Sequence, residues 1–462
     1  MKKLFQLTVL LFSSLIFAQA GHIMQGVGAF NMSMGGAATA QPLDVSGALQ
    51  WNPAAVAVFD SKILNVDAGL FFSSPELSSS LPAGFMWPEN AFGPGSPASP
   101  AVSGITEDDR GTSILPSIAM VWGKEDSRHT FGVSAFGISG FGVTFPQETN
   151  LPMDSAGNPN PAWDPTNSNP VNYPQNLNGF GHIESDYMLL QVGFTWAYEI
   201  SDKFSIGIEP TFNFAALELA PNPLSSPSQT LGYPISDKAT ALGVGAQFGM
   251  FYDSGSGLKL GASYKTTQSF GDFKFNNTYL DGSAASDVAF NMDYPAILSL
   301  GVGYSTDILD LALDFRHVYY ENTDGFSASG WTPTASVAGF GWQDINIVSA
   351  GIQIKAIKKL PLRFGYTYSS NPITEELAFF SIPATAIIND AFQFGFGYEI
   401  NDNFTLNGTY HYGFSNGKTE GNMLSPMANS PSNPLGALPG TNVGYEMTTS
   451  YAVLGVAYTF KK

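Results

Sequence analysis

Few side chains in this 462-residue sequence are spaced for catalysis or metal binding. The chain has no cysteine, which excludes zinc–thiolate sites and disulfide scaffolds. The acidic run from Glu107 to Asp109 offers oxygen ligands for a cation, but a solvated loop tip is the better explanation. No nucleophile–base pair stands out, and none of the five histidines has metal-ligand spacing: His22, His129, His182, His317 and His411. We therefore predict a protein that is not an enzyme and holds no metal and no cofactor.

Charged side chains on the polar faces of predicted strands are more informative. They are Glu209, Asp310, Asp314, Arg316 and Glu399. Inside a barrel, such charges either line a water path or fasten a plug. Alternatively, Arg316 or a lysine such as Lys265 is a candidate partner for a substrate carboxylate, through a charge-assisted hydrogen bond. The residues alone leave both interpretations open.

Apolar and polar residues alternate along much of the chain, and these charges lie at the polar positions of that pattern. Leu309, Leu311 and Leu313, for example, alternate with Asp310 and Asp314. Successive side chains of a strand point to opposite faces, so this period of two predicts strands with one apolar and one polar face.

The connections between the predicted strands alternate in length. Every second one is short and polar, as at 124–128 and 201–202, whereas those between are mostly long and rich in Pro, Asn, Ser and Gly. Short turns at one end and long loops at the other are typical of outer-membrane barrels. We predict an all-β fold, a transmembrane antiparallel β-barrel of about 14 strands, with short third and fourth outer loops at 220–238 and 276–284. The predicted strands are 62–73, 112–123, 129–146, 181–200, 203–219, 239–253, 258–275, 285–304, 307–321, 342–356, 360–371, 389–400, 403–414 and 445–460.

The composition agrees with a chain that has lipid on one side. Charged residues are 12% and aromatic residues 13% of the sequence, whereas a soluble domain carries about 25% charged residues. Residues 1–20 join Lys2 and Lys3 to an apolar run and Ala18-Gln19-Ala20, which predicts a cleaved signal peptide. The remaining 17 basic and 38 acidic residues give a net charge of −21, which excludes a nucleic-acid partner.

Residues 21–61 do not alternate and are rich in Gly, Ala and Met. The lumen of such a barrel is wide enough to need a plug, so we predict that 21–61 is an N-terminal hatch and 62–462 the barrel. A flexible periplasmic tail is the alternative. Phe30, Met32 and Met34 are the candidate apolar contacts between this hatch and a ligand, because methionine adapts to irregular apolar surfaces.

The hatch carries the signature Asn52-Pro53-Ala54, preceded by Ser46-Gly47-Ala48-Leu49-Gln50-Trp51. Further along, the runs 241–245, 260–265 and 293–304 follow in a consistent order. Over about 30–460 the chain thereby resembles the FadL/TodX (OmpP1) family of outer-membrane transporters of hydrophobic compounds. The resemblance implies a barrel in the outer membrane of a Gram-negative bacterium. The alternating last strand, 450–460, ends near the aromatic Phe460, a signal that the barrel-assembly machinery recognises, and we expect a monomer in outer-membrane lipid.

Glycines are concentrated in the third predicted strand, at Gly137, Gly140 and Gly142 among others. Glycine inside a strand often marks a bulge, so we predict a local kink there. In the family that the chain resembles, an inward kink of this strand opens a side window through which ligand leaves the lumen.

These features predict passive transport of small hydrophobic molecules, namely long-chain fatty acids or related lipids, or aromatic hydrocarbons. The steps would be capture by the outer loops, gating by the hatch and lateral release at the kink. Two alternatives stay open: a general porin for small polar solutes, and a surface adhesin or receptor that transports nothing.

Overall fold

Fourteen long antiparallel strands are found within residues 21–123, 126–154 and 157–460, which the computed structural model describes. The predicted signal peptide, 1–20, lies outside these residues. The strands, β1–β14 in chain order, are Lys62–Leu81, Thr112–Trp122, His129–Phe145, Ile183–Ser201, Phe204–Ala220, Ala239–Asp253, Leu258–Lys265, Ile297–Ser305, Leu309–Val318, Ile345–Ile354, Leu362–Ser369, Asp390–Asn401, Phe404–Phe414 and Asn442–Thr459.

Each strand pairs with the next, and β1 pairs with β14, so the sheet closes on itself. The closing register runs from Ile63 opposite Thr459 to Ser80 opposite Asn442. A closed barrel satisfies its backbone hydrogen bonds without a sheet edge, which is what lipid requires. The predicted fold class is therefore confirmed.

The two faces of the wall differ as the alternation predicted. On β1, Leu70 and Phe72 are exposed on the outer face, whereas Asn65 and Asp67 are buried on the inner face. An apolar outer face is stable against lipid, and the polar inner face can hydrogen-bond to whatever fills the lumen.

The N-terminal segment fills the lumen. It contains the helices α1 (Gly28–Ser33) and α2 (Val45–Trp51) and a 3₁₀ helix (Pro53–Val58), and most of its residues are buried. These helices contact inward-facing parts of the wall, including β1, β5, β6 and β13. None of the described helices has the length and apolar character needed to span a membrane.

The prediction of a short fourth outer loop is wrong. Strand β7 ends at Lys265 and β8 begins at Ile297, so the loop is 266–296. It contains the short strand Phe273–Phe275, which pairs with Val288–Phe290. Because these loop strands alternate as the wall strands do, the pattern in the sequence does not distinguish the two.

A charge on the lipid face should destabilise the barrel more than the same charge in a turn. Leu313 lies midway along β9 with 52% of its side chain exposed, and Ile357 lies in the turn after β10 with 51% exposed. We expect Leu313→Arg to lower the free energy of unfolding in liposomes by about 2–4 kcal/mol. Ile357→Arg should change it little, and equal losses in denaturant titrations would contradict the assignment of the outer face to lipid.

Candidate functional site

Helix α1 is tied to both sides of the seam where the barrel closes. The amide of Ala29 donates to Asp67 Oδ1 of β1 at 2.9 Å, and its carbonyl accepts from the Thr409 hydroxyl of β13. Gly28 adopts a φ of 72°, and a Cβ there would lie 2.8 Å from Asp67 Oδ2, so glycine permits this close approach.

Asp314 and Arg316, on the inner face of β9, fasten the middle of the hatch. Asp314 Oδ2 accepts from the Ala38 amide at 2.9 Å and from the Thr39 amide and hydroxyl at 2.9 and 2.8 Å. Arg316 donates to the same carboxylate oxygen at 2.7 Å and to the Gly36 carbonyl at 2.8 Å. Its guanidinium also stacks 3.6 Å from the centre of the Trp51 ring. Both charges are fully buried and already hold hatch partners.

Asn52, Pro53 and Ala54 join the end of the hatch to the wall. The Asn52 side chain accepts from the Ala54 amide at 3.1 Å, which caps the 3₁₀ helix that begins at Pro53. Its amide group also donates to the carbonyls of Thr39 at 2.8 Å and Met250 at 3.0 Å. The signature therefore stabilises a crossing of the hatch against β6.

Lys265, the other candidate carboxylate partner, is buried on β7 and donates to Gln191 Oε1 at 2.8 Å. Gln191 in turn donates to Asn213 Oδ1 at 2.9 Å. The structure thus places Lys265 in a polar network of the wall and Arg316 in the hatch contacts, and it does not bring the two together.

The three apolar hatch residues divide between two places. Met32 packs in a cluster that includes Met24 and Leu115, next to β2. Met34 and Phe30 share another cluster, and the guanidinium of Arg363 lies 3.4 Å from the centre of the Phe30 ring. A role for them in ligand contact stays a prediction.

Strand β3 contains one extra residue at the predicted kink. Gly137 lies opposite Leu190 of β4 and Ser139 opposite Leu189, so Ile138 is a bulge. Gly140 lies at a close approach, where its amide donates to the His22 carbonyl at 3.2 Å. A Cβ on Gly142 would lie 2.1 Å from the Arg110 guanidinium, so this glycine makes room for the arginine.

Beside this bulge the wall lacks backbone pairing between β2 and β3. Among the described residues of β2 and β3, pairing extends only from Trp122 opposite Phe131 to Ser117 opposite Phe136. Higher up, the Asp109 amide donates to the Thr144 carbonyl at 2.8 Å. Between these limits lie 113–116 of β2 and 137–143 of β3, a region that we call the side gap. Inside it, the Met24 amide donates to the Ile138 carbonyl at 3.0 Å.

His22 lies beside the side gap in a cage of rings. Its Nδ1 is 2.6 Å from the Tyr320 hydroxyl. The histidine, which matched no metal pattern in the sequence, therefore has a packing role that its spacing did not reveal. Six aromatic rings surround it with centroids within 6.4 Å, namely Phe141, Tyr187, Tyr294, Tyr320, Phe326 and Trp342. We call this group the N-terminal cage.

An apolar pocket, partly open to solvent, lies among the outer loops. We call it the outer pocket; Phe180, Ile183, Pro221, Pro223, Tyr233, Trp331, Val337, Phe379, Phe380, Ile382 and Pro383 line it. The outer pocket was not predicted from the sequence, because its lining comes from four loops and the start of β4. Aromatic residues in Pro-rich loops are the signal that was available.

Among the described residues, no three His, Asp or Glu side chains lie close enough together to bind a metal ion. The acidic run at Glu107 instead makes backbone contacts: Asp108 Oδ1 accepts from the Thr144 amide at 2.5 Å. This region closes the upper end of the side gap.

Removing the Asp314 carboxylate should loosen the hatch. Asp314→Ala would abolish three hatch hydrogen bonds and leave Arg316 buried without its counter-charge. We expect the free energy of unfolding to fall by about 3–5 kcal/mol and the ion conductance of the protein in planar bilayers to rise.

Asp310→Ala is the matched control. Asp310 lies on the same strand, but it bonds to Gln353 at 2.8 Å and Lys355 at 3.0 Å rather than to the hatch. Its removal should leave the conductance low. Equal conductance in the two variants would show that the Asp314 contacts do not hold the hatch in place.

Comparison with known proteins agrees with this architecture. Three solved structures superpose on nearly the whole chain: the P. putida toluene transporter TodX (16% identity, 95% of this chain and 99% of that one, TM-score 0.62), a Pseudomonas aeruginosa FadL homologue (14%, 96% and 100%, 0.68) and the Ralstonia pickettii toluene transporter TbuX (17%, 95% and 99%, 0.60). No curated protein sequence matches the chain. Residues 178–461 match the family model described as outer membrane protein transport protein (OMPP1/FadL/TodX). The chain is therefore a member of the OMPP1/FadL/TodX family of outer-membrane transport proteins.

Proposed function

We propose that the protein carries small hydrophobic molecules passively across the outer membrane and releases them sideways through the side gap. Family membership supports the transport of solutes, and the similar structures include two toluene transporters and a FadL homologue. The side gap carries the proposal, because it interrupts an otherwise closed wall while the hatch fills the lumen.

Capture takes place in the outer pocket. Apolar surface that leaves water on binding contributes about 25 cal/mol per Å². A hydrophobic molecule would therefore concentrate in the outer pocket, at the end of the barrel where the long loops lie.

The inner face of β4 leads from the outer pocket to the N-terminal cage. Ile183 lines the pocket, the Ser185 hydroxyl donates to the Pro383 carbonyl, and the Tyr187 ring lies 6.0 Å from that of His22. At about 3.4 Å per residue, Ile183 and Tyr187 are about 14 Å apart. A ligand that leaves the pocket along this face meets the first residues of the hatch.

The start of the hatch acts as the gate. Residues 22–24 bond to the bulged part of β3, and they lie on the inner side of the side gap. Their displacement would open a path from the N-terminal cage to lipid. Gly21 is buried next to Tyr320, so we also propose that the mature chain begins there.

The barrel closes without a second copy of the chain, and we propose that it acts as a monomer. It depends on the barrel-assembly machinery for insertion into outer-membrane lipid. A general porin is less well supported, because the hatch fills the space that polar solutes would need.

Bridging the side gap should stop transport. A Cβ on Gly137 would lie 3.8 Å from Leu115 Cδ2. The natural chain contains no cysteine, so two introduced cysteines would be the only thiols. In cells that express Leu115→Cys/Gly137→Cys, we expect a short thiol-cleavable cross-linker to reduce labelled toluene uptake to background. Reduction of the cross-link should restore uptake, because only the exit is blocked.

Ile118→Cys/Ala135→Cys is the control pair. These residues face each other on the outer side of the same two strands, below the side gap. Cross-linking them should leave toluene uptake unchanged. Uptake of labelled sugar that exceeds toluene uptake and ignores both cross-links would identify a porin and reject the proposal.

A further inference from the structure

The lining of the outer pocket contains no charged side chain. Resting on the proposed transport function, we propose that this pocket selects uncharged apolar molecules and excludes carboxylates, including fatty-acid anions. The hydrogen-bonding and cationic groups near the pocket, among the described residues, decide whether a carboxylate would find a partner.

The polar groups of the pocket lining already have partners in the protein. The Tyr233 hydroxyl donates to the Ala335 carbonyl at 2.7 Å, and Trp331 Nε1 donates to the Leu435 carbonyl at 2.9 Å. Burial raises the pKa of Tyr233, so its phenol stays uncharged. A carboxylate in the pocket would lose water and find neither a free donor nor a counter-charge there.

The loops around the pocket repel anions. The seven outer connections contain 18 acidic and four basic residues, and the basic ones are Arg110, Lys238, Lys274 and Lys418. Arg110 and Lys238 are paired with Asp186, and Lys418 donates to the Ser78 hydroxyl at 3.3 Å. Lys274 lies in the fourth loop, and no described residue of that loop lines the pocket.

The cations in the lumen are also engaged. Lys259 donates to Gln41 Oε1 at 2.9 Å and Lys265 to Gln191 Oε1 at 2.8 Å. Arg363 donates to Gln353 Oε1 at 2.7 Å, and Arg316 holds Asp314 at 2.7 Å. None of these four cations lines the outer pocket, so a carboxylate bound there has no counter-charge within the pocket.

The experiment compares two ligands that share a ring and differ in one group, ethylbenzene and phenylacetate. Binding to the purified full-length protein is measured by calorimetry at low and at high salt. We expect ethylbenzene to bind at least about tenfold more tightly than phenylacetate. The preference should persist at high salt, which screens the loop charges but leaves the pocket unchanged.

Val337 is the position at which to reverse the preference. It is a half-buried loop residue that lines the pocket, so a substitution there leaves the barrel strands intact. Val337→Lys should gain phenylacetate binding by about tenfold or more, because a charge-assisted partner is now present. Val337→Gln, the uncharged control, should weaken ethylbenzene binding without gaining phenylacetate.

Four results would overturn the inference. Equally tight binding of phenylacetate by the natural protein, or its recovery at high salt, would reject pocket chemistry as the selector while leaving hydrophobe transport intact. A Val337→Lys variant that binds ethylbenzene but gains no phenylacetate would show that a missing cation is not the cause. Absence of both ethylbenzene binding and hydrocarbon uptake in the natural protein would reject this inference and the proposed function together.

Discussion

Backbone hydrogen bonding in a wall surrounded by lipid is the constraint on which the rest of the structure depends. Every amide and carbonyl of the barrel needs a partner inside the protein, yet β2 and β3 separate above Ser117 and Phe136. The protein replaces the missing ladder with its own N-terminal residues, since Met24 and the His22 carbonyl bond to β3 at Ile138 and Gly140. The gap in the wall and the start of the hatch therefore form one unit.

The contacts that hold the hatch differ in strength along its length. Asp314 and Arg316 bind its middle through buried charges, and Asn52 binds its end. Residues 22–24, in contrast, are held by a few neutral hydrogen bonds to β3 and by the ring contacts of His22. Neutral hydrogen bonds contribute about half as much as charge-assisted ones. The proposed opening therefore needs only residues 22–24 to leave β3.

Much of the wall could be predicted from the sequence, because lipid outside and a polar plug inside impose alternation on each strand separately. Strand β5 was predicted at 203–219 and is Phe204–Ala220. The bulge at Ile138 could be predicted only as a glycine-rich kink, since an extra residue is defined by the register of the partner strand β4. The outer pocket could not be predicted, because four loops distant in sequence meet there. Arg316 has the charge that binds a substrate carboxylate, but the structure pairs it with Asp314 on the same strand. Its contact with the Gly36 carbonyl depends on the path of the hatch, which the sequence does not show.

In the proposed transport cycle, each contact that is lost when the gate opens must be replaced by another. When residues 22–24 leave β3, the Ile138 carbonyl and the Gly140 amide lose partners that lipid cannot supply, so the open state is costly. An apolar ligand in the N-terminal cage compensates for part of this cost, because it can take the place of the His22 ring among the surrounding aromatic residues. Once the ligand passes into lipid, nothing stabilises the open state and the amide of Met24 returns to Ile138. Under the proposed mechanism, opening is therefore coupled to occupancy without an energy source, and the concentration gradient alone sets the direction of transport.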